Sequence, residues 1–386
     1  MEHLTLEQAL ELADLRQPEI AEAVALIEAA EGRARQAGAF PNPEAILGAQ
    51  QIPFSRNAAK DQEYVAGIGQ TIPLGSRLAK ARAAELLDRE VRARGLEVKR
   101  REIHRRVRSA FATALYQEQA HQAQNEILQS TTRAVATTRA RLEAGDALCE
   151  DLARVEMDLA RAQVELQRAE SLREQALVAL ASAMGDASLA VKSLDGTLEM
   201  AFEIPTLETL AASLYAQPES ALAEADLRAR TARVDLAKAE RIPDVKVEVL
   251  YHRLEASREN TFDVALSIPL PLFNRNQGRL REARAEVLAA EARARMTQNE
   301  LTARLREACL QLNTALASSR ALQTEILPRA ELVVKAAEAR YTLGDISLAE
   351  LLPVRREWAA ARLSYLESLR DALVAWSQVK SLMGPN

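Results

Sequence analysis

The stretch "LSIPLPLFNRNQGRLREARAE", Leu266 to Glu286, decides how this chain is read. It leaves an alternating segment, passes through Ile268-Pro269-Leu270 and enters a long Ala/Arg/Glu-rich run of helical composition. The same change occurs earlier in "GQTIPLGSRLAKARAAE", Gly69 to Glu85. Proline lacks a backbone donor and ends strand pairing, so Pro73 and Pro269 mark strand-to-helix junctions. Asn274 and Asn276 are placed to cap the second helix, and Gly278 leaves its turn unhindered. Gly75 belongs to the first junction.

Other landmarks recur in the same order. Gln17-Pro18-Glu19 returns as Gln217-Pro218-Glu219, Gly145-Asp146 as Gly344-Asp345, and Met184-Gly185 as Met383-Gly384, all with offsets of about 200 residues. Such agreement implies two tandem copies, 1–195 and 196–386. Each copy opens with a moderate helix, 19–38 and 219–240, stopped near "FPNP" and "RIPD". Two strands follow, 44–52 and 63–72 in the first copy, 244–252 and 261–268 in the second. In "DVKVEVLYH", Val245, Val247, Val249 and Tyr251 share one face; in "TFDVALSI", Phe262, Val264, Leu266 and Ile268 do. Gly48, Gly67 and Gly69 blur that alternation in the first copy. Helical hairpins complete the plan, 77–184 and 279–383. Their first arms are expected to run roughly 90 Å, with bends only at Gly95 and Pro328.

Composition fits this plan. The 386 residues include only 13 Gly, 13 Pro and 4% aromatics, thin material for one large globular core. Net charge is -5, which gives no global field toward nucleic acid. No run of about 18 apolar residues could span a bilayer as a helix. "MEHLTLEQALELAD" lacks the basic start and apolar stretch of a signal peptide, so it carries no visible export signal. Cys149 and Cys309 form no CxxC, and buried or lightly exposed free thiols are expected. His3, His104, His121 and His252 are scattered, no ligand cluster is legible, and no cofactor is expected. Nothing assembles an acid, a base and a nucleophile, so an enzyme is the weakest reading.

Four strands of eight or nine residues, each with one apolar face, have the length of tilted membrane strands. They cannot close a barrel alone, and open edges in lipid leave costly unpaired N–H and C=O groups. Three copies would supply twelve strands and an aqueous lumen.

"LSIPLPLFNRNQG" leading into a long helix, "FPNP" before the first strand and "ARYTLGDISLAELL" at the helical reversal together resemble the TolC-like outer-membrane efflux channel family. Within it the chain is most similar to the CzcC-type heavy-metal branch. The resemblance covers essentially the whole chain. It implies a mainly α fold with a small β part: a homotrimer whose long hairpins form an α-barrel tunnel through the periplasm and whose strands complete a 12-stranded outer-membrane β-barrel. It also implies outer-membrane lipid around the barrel, a periplasmic adaptor (membrane fusion protein) at the hairpin tips and, indirectly, an inner-membrane pump of the RND type. The pump would select cargo, so drug or protein export stands beside metal export. A soluble coiled-coil scaffold is the reading from another class, but it gives no reason for the strands.

The reversals carry the candidate sites. A carboxylate follows each glycine by six residues, Asp151 after Gly145 and Glu350 after Gly344. By resemblance these would ring the periplasmic gate, although early in a returning helix the dipole also favours acids. The family tip pattern for adaptor docking falls on Arg141, Gly145, Arg340, Tyr341, Gly344, Ser347 and Leu348. Leu142 and Leu148 replace its Tyr and Ser in the first copy, so the two docking sites should differ. The basic run Arg89 to Arg108 lacks aromatic interleaving and is read as a solvated helix face, with no nucleic-acid partner. Lys246, Glu248, His252 and Asp263 are assigned to the lumen or loops, because charge facing lipid is costly.

Overall fold

The structure, a computed structural model, describes residues 3–52, 62–199 and 214–383. The first copy holds α1 (Leu6–Arg16), α2 (Pro18–Ala37), β1 (Glu44–Gln50), β2 (Glu63–Ile72), α3 (Arg77–Glu143) and α4 (Cys149–Ala183). The second holds α5 (Pro218–Ala239), β3 (Val245–Leu254), β4 (Glu259–Ser267), α6 (Gln277–Ala321), α7 (Leu327–Leu343) and α8 (Leu348–Leu382). Gly384, the repeat partner of Gly185, lies outside the described residues.

The chain divides into two compact units. One comprises Glu22–Leu96 and Pro218–Gln298 and contains the sheet. Its strands pair antiparallel in the order β1-β2-β3-β4, leaving β1 and β4 as edges. β4 stops at Ser267, one residue short of the expected end, because Pro269 cannot continue the ladder. β3 instead runs two residues past its expected end to Leu254, since pairing with β4 persists up to the hairpin turn. Of the three glycines in the first copy's strands, Gly67 and Gly69 have close cross-strand neighbours, whereas Gly48 faces open space. Gly67 stands opposite Leu250, and a Cβ there would lie 2.4 Å from the Val249 carbonyl oxygen and 2.6 Å from Leu250 Cδ2.

The other unit comprises Met1–Ala21, Glu97–Gln217 and Asn299–Asn386. Its helices pack through narrow stripes with coiled-coil spacing. Val155, Ala162, Ala169 and Ala176 of α4 are buried at intervals of seven, and Leu301, Leu305, Ala308 and Leu312 of α6 at intervals of four and three. Small alanines let helices approach closely. Arg139–Glu156 at 2.8 Å and Arg173–Glu118 at 3.8 Å fix α4 antiparallel to α3. The two Gln-Pro landmarks do the same job: Gln17 Nε2 donates to the Ala183 carbonyl at 3.0 Å, and Gln217 Nε2 to the Leu382 carbonyl at 2.6 Å. Each satisfies an orphan acceptor at the end of a returning helix.

Four expectations need correction. The basic run is not a solvated face: Lys99 and Arg106 both bind Glu19, His104 lies 3.0 Å from Asp14, and Arg101 donates to Gln217. The carboxylates of the first helices make it a half-buried seam. The irregularity in the second arm is a π-helical turn, Leu322–Ile326, ahead of Pro328, whose missing N–H disturbs the ladder. Cys149, expected buried or lightly exposed, is exposed at the first turn of α4. Finally, Asn274 and Asn276 make other bonds, described with the junction below.

Candidate functional site

At the strand-to-helix junctions, Gly75 adopts φ 67°, and a Cβ there would sit 2.7 Å from Ile242 Cδ1. Only glycine fits that position without strain. Arg77 pairs with Asp244 at 2.7 Å beside it. In the second junction the Asn276 side-chain amide donates to the Ala237 carbonyl and to Glu240 Oε2, both at 3.0 Å. It closes the C-terminus of α5 rather than capping α6. Asn274 Oδ1 accepts from the Asn276 backbone N–H at 3.0 Å, an Asx turn that holds Asn276 at φ 57°. Pro73 and Pro269 follow the ends of β2 and β4, and Gly278 lies inside the first turn of α6 with open space around it.

The register sorts the strand side chains onto two faces. Directly opposed residues share a face. One face carries Leu47, Tyr64, Ile68, Val249, Phe262, Val264 and Leu266, all exposed large hydrophobics. The opposite face carries Glu44, Glu63, Glu248, Glu259 and Asp263 against Lys246 and His252. Lys246 pairs with Glu44 at 2.9 Å and Glu248 at 3.0 Å. His252 contacts Glu63 through Nδ1, and its Nε2 lies 3.3 Å from Asp263 Oδ2, so the imidazole sits between carboxylates of the two neighbouring strands. All four residues assigned to the lumen or loops stand on this polar face, and the glycines Gly48, Gly67 and Gly69 stand on it too.

The helical reversals are built alike. Asp146 N–H bonds the Arg141 carbonyl and Gly145 N–H the Leu142 carbonyl; Asp345 and Gly344 repeat this on Arg340 and Tyr341. This is the Schellman pattern, and it needs the left-handed φ of 84° at Gly145 and 81° at Gly344. The candidate gate acids open the returning helices. Asp151 Oδ2 accepts from Leu148 N–H at 3.3 Å. Glu350 Oε1 accepts from the Ser347 hydroxyl at 2.8 Å and from its N–H at 3.3 Å. The hydroxyl first, then the N–H, hold the Glu350 carboxyl below the usual carboxylate range.

The tip pattern divides into core and surface. Tyr341 is 8% exposed and Leu348 2%, both in a cluster with Val155, Ile346, Leu351 and Leu352. Arg141 stacks on Tyr341, so the two hairpins meet here. Gly145, Arg340, Gly344 and Ser347 remain exposed. Sequence reasoning passed over two exposed apolar residues beside them, Leu148 at 68% and Leu343 at 77%. Their position flanking the Gly-Asp turns was the available signal.

The family model described as outer membrane efflux protein matches residues 9–186 and 210–385. The cobalt-zinc-cadmium resistance protein CzcC of Cupriavidus metallidurans is 28% identical over 99% of this chain and 90% of its own length. Among solved structures, CusC superposes with a TM-score of 0.84 at 16% identity, covering 98% of this chain and 92% of that one. The open-state MtrE outer membrane channel of Neisseria gonorrhoeae gives 0.81 at 19% identity, covering 98% and 89%. Long helices in two hairpins, four antiparallel strands with an apolar and a charged face, and a family match along nearly the whole chain agree: this protein belongs to the outer membrane efflux protein family, the channels that carry solutes out through the outer membrane.

Proposed function

We propose that three copies close their sheets into a twelve-stranded barrel and pass heavy-metal cations passively from periplasm to exterior. The observation that carries this is the two-faced sheet with open edges. An exposed apolar face suits lipid, and unpaired edges at β1 and β4 must be closed there by neighbouring copies. A second stripe on α4, Met157, Val164 and Val178, is exposed at spacings of seven and fourteen and suits a helix of another copy. On the inner face, five carboxylates against one lysine give a negative lumen that favours cations. The likeness to a cobalt-zinc-cadmium resistance protein supports metal as the cargo.

In this reading residues 1–195 and 196–386 are duplicated halves. A periplasmic adaptor docks on the reversals through Gly145, Arg340, Gly344, Ser347, Leu148 and Leu343, with Arg141, Tyr341 and Leu348 shaping the tip beneath. An RND-type inner-membrane pump feeds the duct through that adaptor. Asp151 and Glu350 supply six carboxylates around the closed aperture, where mutual repulsion favours opening and attracts cations.

The test is to express the chain with an export signal beside a metal-efflux pump and adaptor in cells lacking their own channel. A detergent-extracted trimer from the outer membrane together with restored zinc, cobalt or cadmium tolerance is expected. A soluble monomer or dimer obtained without detergent sinks the channel assembly. A membrane trimer that restores drug tolerance but not metal tolerance sinks the cargo assignment alone.

A further inference from the structure

Exposed apolar residues do not end where the β4 ladder ends. Phe262, Val264 and Leu266 continue in the same parity through Ile268, Leu270 and Leu272, all exposed, and Phe273 beyond them is 92% exposed. Leu272 and Phe273 line a groove of about 620 Å³ shared with Arg241, Arg275, Arg281 and Arg284. Arg279 nearby is paired with Glu240 at 3.4 Å, but none of the four groove arginines meets a carboxylate among the described residues. The groove also opens at the first turn of α6, whose free N–H groups add positive potential.

Four unneutralised guanidinium groups beside nearly bare leucine and phenylalanine side chains fit a ligand that is anionic at one end and apolar at the other. Arginine binds phosphate oxygens in a fork, and aromatic side chains settle at the lipid–water boundary. The groove follows closely in sequence on a strand whose apolar face is read above as lipid-facing, and it lies at the strand end that leads into the long helix. We propose that it holds the phosphate headgroup of an anionic phospholipid from the periplasmic leaflet of the outer membrane, with Leu272 and Phe273 against the acyl-chain boundary. This rests on the outer-membrane reading. The headgroup contacts fix the depth of the barrel in the membrane.

The experiment is native mass spectrometry of the protein in non-ionic detergent, titrated with phosphatidylglycerol or with phosphatidylcholine of the same acyl chains. The wild-type protein should retain phosphatidylglycerol preferentially. Combined Arg275→Gln, Arg281→Gln and Arg284→Gln should weaken that retention on the order of 100-fold, the effect of three basic groups near a headgroup. Oligomeric mass and conductance should not change, while Phe273→Ser should weaken both lipids. Equal retention of the two lipids, or undiminished phosphatidylglycerol binding by the triple variant, overturns the proposal. A triple variant that falls apart into monomers also overturns it, assigning the arginines to contacts between copies. A wild-type chain that never enters the membrane fraction fails earlier, on the outer-membrane reading itself.

Discussion

The Arg141 guanidinium on α3 lies 5.0 Å from the ring centre of Tyr341 on α7, and its Nη1–H donates to the Tyr341 carbonyl oxygen at 3.1 Å. The Tyr341 hydroxyl lies 3.1 Å from Thr138 Oγ1 in a buried position. One residue of the second hairpin is therefore held by two from the first, next to both Gly-Asp turns. The tips are coupled through a side chain that is unpaired by repeat symmetry, since Leu142 occupies the matching place in the first hairpin.

Tyr341→Phe should cost about 1 kcal/mol, the net value of a buried hydrogen bond, and Tyr341→Ala about 3–5 kcal/mol through the cavity it leaves. Arg141→Ala should cost about 0.5–1 kcal/mol for a partly solvated cation–π contact. Amide hydrogen exchange at the ends of α3 and α7 reads these directly. Equal protection in all three variants means that the tips do not depend on this contact.

Gly344 should tolerate no ordinary side chain at full stability, and the reason is conformational rather than steric. An added Cβ meets nothing closer than Arg141 Nη2 at 4.0 Å, but φ is 81°. Gly344→Ala is expected to cost about 1–2 kcal/mol, and Gly344→Asn less, because asparagine visits the left-handed region more readily. Thermal melts of the two variants should rank in that order; identical melting would remove the strain argument.

Glu350→Gln offers a clean test of the gate. Glutamine can still accept from the Ser347 N–H, so the helix start survives while the charge is lost. With Asp151→Asn, it should lower cation selectivity in planar bilayers. The pH dependence has a definite sign. A carboxyl whose folded pKa is depressed stabilises the fold above its unfolded pKa and loses that contribution as pH falls through the folded pKa. The first turn of α8 should therefore fray only in acid, below about pH 4, and the glutamine variant should not respond. Unaltered selectivity in the double variant would leave both acids as helix-start residues only.

Much of the fold was legible because its signals are local. Alternation in "TFDVALSI", a proline after each last strand residue and glycine at each reversal all act within a few positions of themselves. The Gln17 and Gln217 landmarks were visible as repeats, but their bonds to Ala183 and Leu382 join positions about 166 residues apart. The basic run from Arg89 was misread for a related reason: nothing local to it announces that Glu19 and Asp14 pack against it. The heptad of Val155, Ala162, Ala169 and Ala176 could have been found, since an apolar residue recurs every seventh place. The tip residues were harder. Tyr341 and Leu348 match a docking pattern in sequence, and only packing reveals that both are buried.

Adjacent residues on β4 should respond oppositely to the same substitution. Val264 is exposed on the apolar face, whereas Ala265 stands opposite Glu248 on the charged face. Val264→Arg would place a cation in hydrocarbon near the middle of its strand, at a cost of about 2–4 kcal/mol at the midplane. Ala265→Arg would face a carboxylate in the aqueous lumen. The first variant should be depleted from the outer-membrane fraction and lose its heat-resistant oligomer band, while the second assembles and shifts conductance toward anions. If both variants assemble equally well, the two faces of the sheet do not separate lipid from water, and the inside-outside assignment of all four strands is wrong.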